Sequence, residues 1–182
     1  MKNRIQIKIS MAKVITFSRY FPKGHPKEGQ PTFFVEAFLK GNRSKVVVPS
    51  LQNTFNYDEL EIGFAKTHTI RAGKRFKTGD IFSPRVWSGK PYRSPQIVFA
   101  PDTLVKQVWD FSIFQDNLTG STMFSIDGIG YDCDYRPGTH AHYLLFELST
   151  NDGLKLDDFM SWFKYPQPFE GQIISWSGNE GY

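Results

Sequence analysis

The chain has 182 residues, 40% of them hydrophobic, and 22 Lys or Arg against 18 Asp or Glu, enough for one domain with its own core and only a weak bias toward anionic partners. Its one cysteine, Cys133, excludes a disulfide framework and points to a reducing, cytoplasmic setting. No run approaches the ~18 apolar residues of a membrane span, and residues 1–10 lack the apolar stretch and cleavage site of a secretory signal.

Residues 1–10 read as an N-terminal extension ahead of a single domain at 11–182, with Met11 available as a second start. Residues 14–17 form a short apolar strand, and 19–31 a loop rich in Pro and Gly. Phe33, Phe34, Phe38 and Leu39 lie at helical spacing, which predicts a helix over 32–40 stopped by Gly41. A strand is expected at 46–48, and 58–64 reads as a helical turn or a loop. Strands follow at 66–71 and 80–87, with Ser88-Gly89-Lys90-Pro91 as a turn. Further strands are predicted at 96–100, 103–113, 123–126 and 142–148. Asn151-Asp152-Gly153 is a turn, 156–163 an amphipathic helix ended by Pro166 and Pro168, and 171–176 the closing strand.

Aromatic residues at 16%, with 17 Phe, suit cross-strand packing in an α+β domain. Many short strands with two helices imply a small mixed β-barrel or a strongly bent sheet. Closing a sheet removes its exposed edges.

Charge is uneven along the chain. Between Lys66 and Lys106 there are nine basic residues and two acids, Asp80 and Asp102. Acids gather at Asp127 to Asp134 and Asp152 to Asp158. A basic stretch of this kind suits an anionic partner, and suits a solvated face equally well.

The most informative segment runs Lys66-Thr67-His68-Thr69-Ile70-Arg71 and continues through Phe76-Lys77-Thr78-Gly79-Asp80. On a strand, Lys66, His68 and Ile70 would share one face and Thr67, Thr69 and Arg71 the other. Twist or a bulge could still carry Lys66 and Thr69 toward one cleft. Gly79-Asp80 has a turn role, Gly for φ > 0 and Asp for bonding local amides.

These segments, with the strand 15–17, the helix ending at Gly41 and Asp152-Gly153-Leu154 leading into Leu156-Asp157-Asp158-Phe159, resemble the ASCH family. The resemblance spans roughly 14–176, interrupted by insertions near 42–64 and 115–142. It implies a PUA-like mixed β-barrel with two or more flanking helices, and RNA or nucleotide binding. Some small bacterial members resemble amidohydrolases that deacetylate N4-acetylcytidine with a Lys, a Thr and an acid. By motif position these are Lys66, Thr69 and Asp152, the last where the family more often has the longer Glu. No cofactor is implied.

Amide cleavage needs a nucleophile, a base and a group to hold the developing oxyanion. Thr69 is the candidate nucleophile, Lys66 the base and Asp152 the acid partner; Lys66 and Asp152 positioning a water is the other scheme. A lysine serves as a base once burial or a nearby cation lowers its pKa, and Arg71, Lys74 and Arg75 are close in sequence. Ordinary roles also fit: Thr69 as a β-former, Lys66 as a surface charge, Asp152 as a turn residue.

For binding, Arg71, Lys74, Arg75, Lys77, Arg85, Lys90 and Arg93 are candidate phosphate contacts, and Trp87 and Tyr92 candidate stacking platforms. Trp87 and Tyr92 equally read as a packed hairpin pair. His140 and His142, on one face of the predicted strand with Asp132, Cys133 and Asp134 nearby in sequence, lack any fixed ligand spacing, and no metal is assigned. Cys133 as a nucleophile needs a partner base or a nearby cation, and its sequence neighbours Asp132 and Asp134 supply neither, so it is not assigned as one. His68 reads as a packing residue.

Overall fold

A computed structural model describes residues 11–42, 64–116, 120–133, 138–163, 168–178 and 180–182. The strand expected at 46–48 and the segment 58–63 lie outside them, as does Asp134. The fold is α+β, with nine strands and three helices among the described residues. None of the helices is long and apolar enough to cross a membrane.

The first sheet is built on β3 (Ile81–Trp87). It pairs in parallel with β1 (Lys13–Thr16), and antiparallel with β4 (Gln96–Val98) and β5 (Thr103–Leu104) at its two ends. The second sheet is antiparallel. Its order is β2 (His68–Ala72), β9 (Phe169–Ser175), β6 (Gln107–Gln115), β7 (Thr122–Ile126) and β8 (Ile129–Cys133). Along β6, Trp109, Phe111 and Ile113 alternate inward, the period-2 pattern of a half-buried strand. The segment 115–142 supplies β7 and β8 to this sheet.

The expected closed barrel is not what forms. The chain passes from β5 straight into β6, so the sheets join along one seam, where Val105 N–H donates to Asp80 O at 2.8 Å and Lys106 N–H to Ser175 O at 2.9 Å. On the opposite side β1 and β2 are both edge strands, and no ladder pairs them among the described residues. Side chains cross there instead: Arg71 Nη2 donates to Thr16 O at 2.9 Å. Closure requires a continuous ladder, and here the gap is filled by side chains and stays open outward.

Helix α1 (Phe34–Gly41) includes Gly41 as its last residue, with Asn42 as C-cap. A Cβ at Gly41 would lie 2.0 Å from Lys66 O, so only glycine lets the helix end meet that segment. Phe38 packs where the sheets meet, with ring centroids 5.4 Å from Phe17, 5.4 Å from Phe99 and 4.8 Å from Trp176. Burying each such ring stabilises by about 1.5–3 kcal/mol.

The predicted strand at 142–148 is instead helix α2 (His140–Asn151). Ala141, Leu144, Leu145 and Leu148 are its buried hydrophobic residues. They recur at i, i+3, i+4 and i+7, a helical stripe that outweighs the strand-like apolar run at 143–146. Thr139 Oγ1 caps the helix by accepting from His142 N–H at 3.2 Å. The predicted strand 103–113 breaks at Val105-Lys106 into β5 and β6. Helix α3 (Leu156–Trp162) follows a turn at Asp152-Gly153, as predicted.

Candidate functional site

Lys66 lies just before β2, not within it, so strand alternation does not set its direction. Its backbone N–H donates to Ala37 O at 2.8 Å, and Thr67 N–H to Asn151 O at 2.8 Å. The segment is thereby clamped between the end of α1 and the end of α2. Gly153 completes the clamp with φ +80; a Cβ there would sit 3.2 Å from Lys66 Cβ.

This clamp buries the Lys66 side chain at 1% exposure. Its Nζ donates to Asp152 Oδ1 at 2.5 Å and to Asp152 O at 2.6 Å. The ammonium stands over the Phe34 ring at 4.3 Å and the Phe17 ring at 6.0 Å, contacts that favour the cation once water is gone. Burial nonetheless drives the Lys66 pKa down to about 8; Asp152 opposes the fall and the Arg71 guanidinium adds to it. Burial likewise raises Asp152, against the pull of Lys66, Arg71 and the Ile70 backbone N–H. Lys66 and Asp152 therefore do meet, as the motif implied. Thr69 is buried on β2, on the face it shares with Arg71. Both hydrogen bonds of the Lys66 ammonium go to Asp152 rather than to its hydroxyl.

His68 is fully buried, and Asn151 Nδ2 and His68 Nδ1 lie 2.8 Å and 3.0 Å from the Tyr182 hydroxyl. Burial, then the nearby Lys66, pushes the imidazole well below its usual pKa, so it is a neutral packing residue. The network assigns Nδ1 as acceptor from Tyr182.

The open seam between β1 and β2 forms a cleft of about 770 Å³. Its lining includes Arg19, Arg71 and Arg75, six aromatic residues (Phe17, Tyr20, Phe21, Phe76, Trp87 and Tyr92) and no Asp or Glu. Phe17 lines the cleft, and Lys66 stands 6.0 Å and Arg71 5.4 Å from its ring centroid. Lys66 and Asp152 do not line the cleft.

Two anchors hold the rim. Lys13 Nζ donates to Arg75 O at 2.6 Å and to Asp80 Oδ2 at 2.5 Å, and Asp80 also accepts from Lys77 N–H at 2.9 Å. Gln172 brackets Phe76, accepting from its N–H at 3.0 Å and donating to its carbonyl at 3.1 Å. The turn role expected of Gly79-Asp80 holds, with Gly79 at φ +90. Trp87 packs on Tyr92 with centroids 5.3 Å apart; the residue across the ladder from Trp87 is Gln96.

Of the expected binding residues, Arg71, Arg75, Trp87 and Tyr92 converge on the cleft. The other five lie outside its lining. Lys74 pairs with Asp110 at 2.5 Å. Arg85 lies along β3, 3.3 Å from Ser83 Oγ and 3.4 Å from Gln96 Oε1. Lys77, Lys90 and Arg93 are exposed on turns. Sequence reasoning missed Arg19 and Tyr20, whose only signal is their place at the mouth of the Pro/Gly loop. It also missed Glu36, buried on α1, where burial raises its pKa against the pull of Arg19.

His140 and His142 sit two apart on helix α2, where such residues face different ways. No group of His, Cys, Asp or Glu among the described residues could hold a metal ion. No family model, curated protein or solved structure matches the chain.

Proposed function

We propose that this chain is an ASCH-type, PUA-like domain that binds RNA or a nucleotide through the β1–β2 cleft. The observation that carries the reading is the cleft's lining, three arginines and six aromatics without one carboxylate among the described residues. Guanidinium groups make charge-assisted bonds to phosphate, and exposed rings accept stacked bases, each worth about 1–3 kcal/mol. RNA-binding modules hold unpaired bases in this way. The test is filter binding to single-stranded RNA at two salt concentrations. Affinity should fall steeply with salt and drop further in Arg75→Ala and Trp87→Ala proteins. Absence of salt-sensitive binding ends the reading.

A second reading, deacetylation of a modified nucleoside such as N4-acetylcytidine, is favoured by one observation: the pKa of Lys66 lowered to about 8 beside Asp152. A lysine near neutrality can act as a base. In this scheme the Thr69 oxygen adds to the acetyl carbonyl and its proton passes to the Lys66 amine. The proton then leaves on the departing amino group, and water releases acetate from the Thr69 ester. Release of cytidine from N4-acetylcytidine, abolished in Thr69→Val and Lys66→Ala, is the expected result. A Thr69→Val protein as active as the parent would eliminate the scheme.

A further inference from the structure

We infer that the cleft takes a nucleotide ending in a phosphomonoester, with the phosphate against Arg71 and the base against Trp87 and Tyr92. This narrows the nucleotide-binding reading above and rests on it. The ligand is a free nucleoside monophosphate or the phosphorylated end of an RNA; the chemistry recognised is the same.

The cation lies at the inner end of the cleft. Arg71 is half-buried with its guanidinium 5.4 Å from the Phe17 centroid. One nitrogen is held by Thr16 O, while Nε is buried and has no hydrogen-bond partner among the described residues. A buried donor without a partner is a standing cost that an incoming anion relieves. Arg75 also lines the cleft; the described lining residues include no carboxylate, and Asp152, whose charge reaches Arg71, lies outside the lining and is engaged by Lys66. A monoester carries about −1.5 to −2 charges at neutral pH, more than a diester linkage offers to the same site. Phe17 lines the cleft beside Arg71 and is 1% exposed.

The aromatic end is held under strain. Tyr92 is 90% exposed at φ +61, a conformation that bulky residues rarely keep without function. Its turn is fixed by Gly89 N–H donating to Ser94 Oγ at 3.0 Å, Ser94 Oγ donating to Lys90 O at 2.9 Å, and Arg93 N–H donating to Lys90 O at 3.1 Å. That turn sets Tyr92 against Trp87 and within electrostatic reach of Arg71.

Calorimetric titration of the full chain tests the idea. The probes are the four nucleoside 5′-monophosphates, their nucleosides, and a short mixed-sequence RNA phosphorylated at its 5′ end, at its 3′ end, or at neither. Monophosphates should bind at least about tenfold more tightly than nucleosides, the scale of a charge-assisted phosphate contact. A phosphorylated RNA end that gains a similar factor identifies the strand as the source; a gain confined to mononucleotides identifies the free ligand. Arg71→Lys should erase most of the discrimination. Arg75→Ala and Tyr92→Ala, both at exposed positions, should weaken monophosphate binding with the melting temperature unchanged, and they carry the test if Arg71→Lys does not fold. RNA that binds equally with and without terminal phosphate, alongside monophosphates no better than nucleosides, overturns the inference and leaves general RNA binding standing. No binding by any probe removes both.

Discussion

Of the lysines that meet an aspartate at 2.5 Å among the described residues, Lys66 with Asp152 and Lys74 with Asp110 are the extremes of lysine exposure, with Lys13 and Asp80 between them. Their surroundings differ completely. The first pair has side-chain exposures of 1% and 10%, the second of 69% and 48%. Burial lowers the pKa of Lys66 to about 8 despite its partner. For exposed Lys74 the hydrogen bond to Asp110, then its charge, raises the pKa. The same contact thus carries opposite meaning, because removal from water costs more than one partner returns. A pair so costly inside the protein is a candidate for function, whereas the surface pair is ordinary solvated charge.

The sharpest way to break this comparison is to orphan one buried charge. Asp152→Ala should destabilise the fold by about 3–5 kcal/mol, read from urea unfolding, because Lys66 is left buried without its partner. Replacing both, as Lys66→Met with Asp152→Leu, should recover most of that loss and can exceed the parent by about 1–4 kcal/mol. A double variant no better than Asp152→Ala would show that the pair stabilises the fold outright.

A smaller effect follows from pH. The pKa of Lys66 is about 8 in the folded chain against an ordinary 10.5, so between these values the unfolded chain binds more protons. Stability should therefore rise with pH across that window. The rise should be absent in Lys66→Met. Tyr182, its phenol raised above the usual 10.0 by burial, works in the opposite sense above that pH, so the comparison belongs below pH 10. Smallest of all, Lys74→Ala should leave the unfolding midpoint unchanged within error and, by contrast with Arg75→Ala, leave RNA binding intact.

Local signals carried much of the fold. Glycine and aspartate marked the turns at Gly79-Asp80 and Asp152-Gly153, and hydrophobic spacing marked α1 and α3. The helix at His140–Asn151 reads as a strand locally because Tyr143, Leu144, Leu145 and Phe146 form a short apolar run; only the longer stripe through Ala141 and Leu148 reveals the helix. Strand β8 was missed although Asp127-Gly128, with φ +48 and +81, is a strong hairpin signal. The contact between Lys66 and Asp152 was legible from the motif. Its burial was not, because burial depends on α1 and α2 closing over residues far away in sequence. The cleft's position was not legible: the motif sets it between the Lys66–Arg71 strand and the Asp152 turn, whereas neither Lys66 nor Asp152 lines it, and only part of its lining could be read. Trp87, Tyr92, Arg71 and Arg75 stood in a basic stretch, but Arg19 and Tyr20 join them only through the seam where two sheet edges fail to pair.

Phe17 gives that seam a reporting property. The Lys66 ammonium and the Arg71 guanidinium both lie against this ring, and Arg71, which also lines the cleft, adds to the lowering of the Lys66 pKa. An anion resting on Arg71 would cancel part of the repulsion that depresses Lys66, and the amine would then hold its proton more firmly. Ligand capture near pH 8 would therefore draw protons from the buffer, and the heat of association would vary with the ionisation enthalpy of the buffer chosen.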